Sequence, residues 1–111
     1  MQAPTGIAYL SCGLNDRTKA LPVVAVHLRI SGTVHGVSFR ANMARTAEER
    51  GVKGWVRNRP DGTVEAVLEG EQRFVDAVVE WARHGPPRAV VRGLEVRPTS
   101  PNHYRSFNIE P

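Results

Sequence analysis

With 111 residues, 41% of them hydrophobic, the chain supports one domain built on a modest core. Its formal charge of +4 and pI near 10.0 suit solubility and a mild pull on anions, because most arginines stand apart or alternate with acids. No apolar run approaches the roughly 20 residues of a bilayer-crossing helix, and the lone cysteine, Cys12, excludes an intrachain disulfide.

A reducing compartment, and with it the cytoplasm, is the expectation from that cysteine usage. Met1 to Leu21 is polar, mixed and without periodicity, and it lacks the charged-then-apolar layout of a secretory signal. It is expected to form a disordered extension, which leaves the fold to residues 22–111. Cys12 falls in that extension, where an incidental thiol is the simpler reading.

From Val23 to Ile30, the apolar Val24, Val26, Leu28 and Ile30 alternate with their neighbours, the period of a half-buried strand. From Ser38 to about Arg50 the period turns helical. Phe39, Met43, Ala44 and Ala47 share one side, Ser38 stands where an N-cap would, and Gly51 is the stop. Val52 to Asn58 is a second strand, and Arg59-Pro60-Asp61-Gly62 is turn chemistry. Val64, Ala66 and Leu68 then mark the inner face of a third strand.

Glu71 to Arg83 carries a broad helical stripe, Phe74, Val75, Val78, Val79, Trp81 and Ala82, and ends at Gly85-Pro86-Pro87. Ala89 to Arg97 returns to strand character, and Phe107 with Ile109 forms a short last strand. This order, β-α-β-β-α-β plus a terminal strand, predicts an α+β fold. It is a ferredoxin-like split βαβ sandwich with two helices on one face of an antiparallel sheet. Trp55 and Trp81 occupy strand or apolar positions and are expected in the core.

The junction between first strand and first helix, Gly32-Thr33-Val34-His35-Gly36-Val37-Ser38-Phe39-Arg40, carries chemistry. Its glycines let successive N–H groups turn toward one concavity, and the start of a helix attracts anions. Arg40 adds a planar fork of donors that matches two oxygens of a phosphoryl group. The segment reads as a phosphate cradle formed by the backbone amides of Val34, His35, Gly36, Val37, Ser38 and Phe39. Taken alone, such junctions are common, and an arginine on a first helical turn is usually just solvated.

A second stretch raises the specificity. Gly54-Trp55-Val56-Arg57-Asn58 closes the second strand, and Gly62-Thr63-Val64 opens the third, with Gly70 beyond. The two stretches resemble the paired signatures of the acylphosphatase family. The first signature reads Gly, any, Val, Gln, Gly, Val, any, aromatic, Arg. The second reads Gly, aromatic, small or apolar, variable, Asn, three residues, Gly, any, Val, then a later Gly. The resemblance covers about Val23 to Ile109, and His35 replaces the family's Gln.

The resemblance implies hydrolysis of a small acyl phosphate to carboxylate and inorganic phosphate, without metal or organic cofactor. Phosphate would be product and inhibitor, and a monomer is expected. In this reading Arg40 binds the phosphoryl group and Asn58 orients the attacking water, while Thr63 either supports Asn58 across the hairpin or is a plain strand former. Asn before Pro-Asp-Gly is also an ordinary turn residue. His35 either holds the loop, as Gln would, or adds positive charge beside the phosphate. His27, His84 and His103 lack metal-ligand spacing.

Two other functions fit the same topology. A nucleic-acid reader needs aromatic side chains on the open sheet face, and His27, Arg29, Thr63, Glu65, Val67 and Glu69 supply none there. A non-catalytic module binding phosphate-containing ligands would keep the cradle and lose turnover. Arg40 together with Asn58 argues for the enzyme.

Overall fold

The structure is a computed structural model that describes residues 22–111; Cys12 and the expected extension lie outside the described residues. Five strands and two helices follow the expected order: β1 (Val23–Thr33), α1 (Phe39–Glu49), β2 (Lys53–Asn58), β3 (Val64–Glu71), α2 (Gln72–His84), β4 (Val90–Thr99) and β5 (Phe107–Ile109). They form one sheet in the order β4-β1-β3-β2-β5.

The alternation expected of β1 decides which face is inside. Leu28 and Ile30 join Val56 of β2 and Val64, Ala66 and Leu68 of β3 in a core beneath both helices. Phe39, Met43 and Ala47, each four residues apart, turn inward from α1, and Val75, Val78 and Ala82 do so from α2. Phe39 meets the half-buried Trp81 edge-on, with ring centroids 5.2 Å apart at 60°. Gly51 ends α1 as expected. At φ 69° it lets its own N–H reach the Glu48 carbonyl and the Val52 N–H reach that of Ala47.

Three expectations require correction. The sheet is mixed, because β5 runs parallel to β2. β4 and β5 lie on opposite edges, so the chain from Ser100 to Ser106 crosses the sheet and reverses direction on the way. Trp55, expected in the core, instead projects to the face away from the helices, since it alternates with the buried Val56. Its indole N–H donates to the Tyr104 hydroxyl at 3.2 Å. Glu65 and Glu69, expected to be open to solvent, are only 8% and 4% exposed.

The crossing segment explains the last of these. The Glu69 carboxylate accepts the backbone N–H groups of Asn102, at 2.6 Å, and Tyr104, at 3.2 Å. The sheet face that a nucleic-acid reader would present is thus strapped over by the chain itself. Trp55, the aromatic that β2 does place on this face, is tied to Tyr104 of the same crossing segment.

Candidate active site

β1 ends in an irregularity, a register shift against β4 between Ser31 and Gly32, and the chain then leaves the sheet. Val34 and Phe39, 1% and 2% exposed, sink into the core and pin both ends of the loop between them. His35, Gly36 and Ser38 stay at the surface. Gly36 has φ 72°, and a side chain there would meet nothing within 4 Å, so its need for glycine is conformational and not a matter of space.

Ser38 departs from its expected capping role. It occupies the N-cap position of α1 but sits in the left-handed region, φ 62° and ψ 31°, and its hydroxyl makes no capping bond. A non-glycine residue held there carries strain of a kind that concentrates at binding loops. Its carbonyl takes the Asn42 backbone N–H at 3.1 Å and the Asn42 side-chain amide at 2.8 Å. Among the described residues, none of the N–H groups from His35 to Ala41 donates to a backbone carbonyl. That is a run of unpaired donors at the positive end of an eleven-residue helix.

Arg40 on the first turn of α1 and Asn58 at the end of β2 line one cleft of about 430 Å³ with Val34, Gly36, Ser38, Phe39, Ala41 and Ile109. Most of the residues singled out by the two motifs thus come together. Among the described residues neither the Arg40 guanidinium nor the Asn58 amide has an intramolecular hydrogen-bond or ion-pair partner. Ala41 and Ile109 were missed. Ile109 reaches the cleft only because β5 docks in parallel beside β2, a pairing with no local signal.

Of the three candidates that do not line the cleft, Val37 packs half-buried against the core, and His35 and Thr63 bridge the loop to the β2–β3 hairpin. His35 Nε2 lies 2.9 Å from the Thr63 carbonyl oxygen, which also accepts the Arg59 N–H at 2.8 Å. A carbonyl can only accept, so His35 is the donor through Nε2. The Thr63 hydroxyl and N–H go to the Asp61 carboxylate, at 2.6 and 3.0 Å, not to Asn58. Those two bonds, hydroxyl first, hold the Asp61 carboxyl below its usual range, with Arg59 and Arg29 adding attraction.

A charged cluster beside Asn58 was also missed. Glu65 Oε1 accepts Arg57 Nε and Arg59 Nη1, each at 2.8 Å, and Oε2 accepts His27 Nε2 at 2.6 Å. Burial pushes the Glu65 carboxyl up, but hydrogen bonds from His27, Arg59 and Arg57 outweigh it and bring it down to about 2. Its sequence signal was weak: acids and bases at odd positions of three different strands and of the turn after β2. Among the described residues no group of three or more His, Cys, Asp or Glu is placed to hold a metal ion.

Comparison with known proteins identifies the family and the fold. The acylphosphatase family model matches residues 26–109. An acylphosphatase of Thermococcus kodakarensis is 51% identical over 86 residues, 78% of this chain and 94% of that protein. The solved acylphosphatase of Coxiella burnetii superposes with TM-score 0.77 at 34% identity, covering 79% of this chain and 93% of the other. That of Bacillus subtilis gives 0.77 at 31% identity, over 79% and 99%. A match spanning nearly all of the described residues, including both motifs, means that this chain belongs to the acylphosphatase family.

Proposed function

We propose that this chain hydrolyses acyl phosphates to carboxylate and inorganic phosphate, without metal or organic cofactor, with Arg40 and Asn58 as its catalytic residues. The observation that carries the proposal is the single cleft in which both side chains and the unpaired loop amides meet. An acyl phosphate is a mixed anhydride with a carboxylate leaving group, so departure needs little help from a general acid. What the site must do is hold the phosphoryl group, neutralise its equatorial oxygens and aim a water in line.

The amides of Val34 to Phe39 and the Arg40 guanidinium perform the first two tasks. They are fixed before the substrate arrives, so they stabilise developing charge without reorganising. Asn58 performs the third. An amide donates and accepts at once, which orients a water without the amide itself becoming charged. It is no strong base, so the proton passes to the substrate phosphate. Every group in the scheme comes from one chain, which supports a monomeric enzyme, and the lone cysteine supports the cytoplasm as its compartment.

The test is steady-state hydrolysis of benzoyl phosphate with a chelator present and inorganic phosphate as competitor. Turnover with competitive inhibition is expected. A protein that binds phosphate and releases no benzoate is the non-catalytic module instead.

A further inference from the structure

The Glu65 cluster has no part in the scheme above, yet it surrounds Asn58 in the chain. Arg57 and Arg59, its two neighbours, both project to the face away from the helices and both end on Glu65 Oε1 at 2.8 Å. Arg57 adds a second bond from Nη2, also at 2.8 Å. Glu65 itself is held from β1 by His27 and is paired with Arg57 across the β2–β3 ladder.

We propose that Glu65 is a positioning residue for Asn58, clamping Arg57 and Arg59 on one face of the sheet so that the amide between them keeps its aim into the cleft on the other. Successive side chains of a strand point to opposite faces. Holding residues 57 and 59 from one side therefore fixes the peptide planes that set the direction of the Asn58 Cα–Cβ bond. The constraint matters at this place because Asn58 is the last residue of β2, where the ladder ends and the turn begins. Just past that end the Arg59 backbone is held by turn bonds, its N–H to the Thr63 carbonyl and its carbonyl from the Gly62 N–H, and the buried carboxylate adds a hold on the Arg59 side chain. Arg40 stands on α1 and the phosphate loop runs between β1 and α1. Among the described residues neither bonds to Glu65, and the loop's hydrogen bond to the hairpin is that of His35 to the Thr63 carbonyl.

This inference rests on the proposed hydrolysis, with Asn58 orienting the water. A purely structural ion cluster would affect stability alone, and kinetics separate the two. In the full chain, Glu65→Gln is expected to lower kcat by about tenfold to a hundredfold, the scale of an ångström-sized misplacement. KM and the phosphate inhibition constant should stay within about twofold, because uniform binding is untouched. In an Asn58→Ala background, Glu65→Gln should cost no more than about a further twofold, since the group it positions is gone.

Equal losses in both backgrounds overturn the proposal, as does an unchanged kcat, or a phosphate affinity that falls in step with kcat. If Glu65→Gln fails to fold, Arg57→Gln and Arg59→Gln carry the same test, each leaving the carboxylate one guanidinium and His27. A parent protein that does not hydrolyse benzoyl phosphate defeats the functional reading instead, and that control is run first.

Discussion

His35 Nε2 donates to the Thr63 carbonyl oxygen across 2.9 Å, joining the phosphate loop to the β2–β3 hairpin that carries Asn58. The two halves of the site are thereby linked by a side chain at the single motif position that departs from the family pattern. A Gln amide offers the same kind of donor, which is the physical reason an imidazole is accommodated there.

That bond gives the first expectation. His35→Gln should leave benzoyl phosphate hydrolysis near neutral pH within a few-fold of the parent. His35→Ala loses one exposed hydrogen bond, about 1 kcal/mol, and should weaken phosphate inhibition by roughly fivefold. A large loss of rate in His35→Gln would instead place the imidazole on the substrate.

Arg40 and Asn58 should separate binding from turnover. Removing one preorganised donor to a developing oxyanion costs ~10²–10³ in rate, and Arg40→Ala removes a full charge as well. At least that loss is expected, with weaker phosphate inhibition. Asn58→Ala should cut kcat while the phosphate inhibition constant stays close to the parent value. Near-parent hydrolysis by both variants would remove the site assignment.

Ser38 tests the loop's backbone. At φ 62° a glycine fits without strain, whereas a β-branched side chain pays the left-handed penalty in full. Ser38→Val should be less stable than Ser38→Gly by ~1–2 kcal/mol in urea titrations. Since no capping bond is lost, Ser38→Gly should unfold at a urea concentration close to the parent's.

Glu65 should shape the acid limb of stability. Its carboxyl titrates near 2 in the fold against 4.5 unfolded, so between those values the unfolded chain binds more protons. The stabilisation is therefore complete above about pH 4.5 and disappears as the pH falls through 2. At 11% side-chain exposure it is on the order of 3 kcal/mol. Asp61, also held low, adds in the same direction. Urea unfolding from pH 5 to pH 2 should show a shallower decline for Glu65→Gln than for the parent, and identical slopes would refute the assignment.

Much of the scaffold was readable along the chain. The alternation ending in Leu28 and Ile30, the four-residue spacing of Phe39, Met43 and Ala47, and the stop at Gly51 are local regularities, and each element formed within a few residues of its expected bounds. Trp55 shows the limit of such patterns. Its strand was recognised, but the side it faces is chosen by what packs there, here Tyr104, 49 residues further on.

Periodicity and motif spacing were enough for the βαββαβ scaffold and for the resemblance that singled out Arg40 and Asn58, because both are written in neighbouring residues. Packing alone assigned Ser38 its left-handed backbone, brought Ile109 to the cleft, tied His35 to Thr63 and gathered His27, Arg57 and Arg59 around Glu65. The His35–Thr63 and His27–Glu65 bonds join residues 28 and 38 apart, and Ile109 arrives from the far edge of the sheet, chain paths that no short window of residues contains. Arg57 and Arg59 stand only eight and six residues from Glu65, but what gathers them is the burial of one carboxylate, which periodicity does not encode.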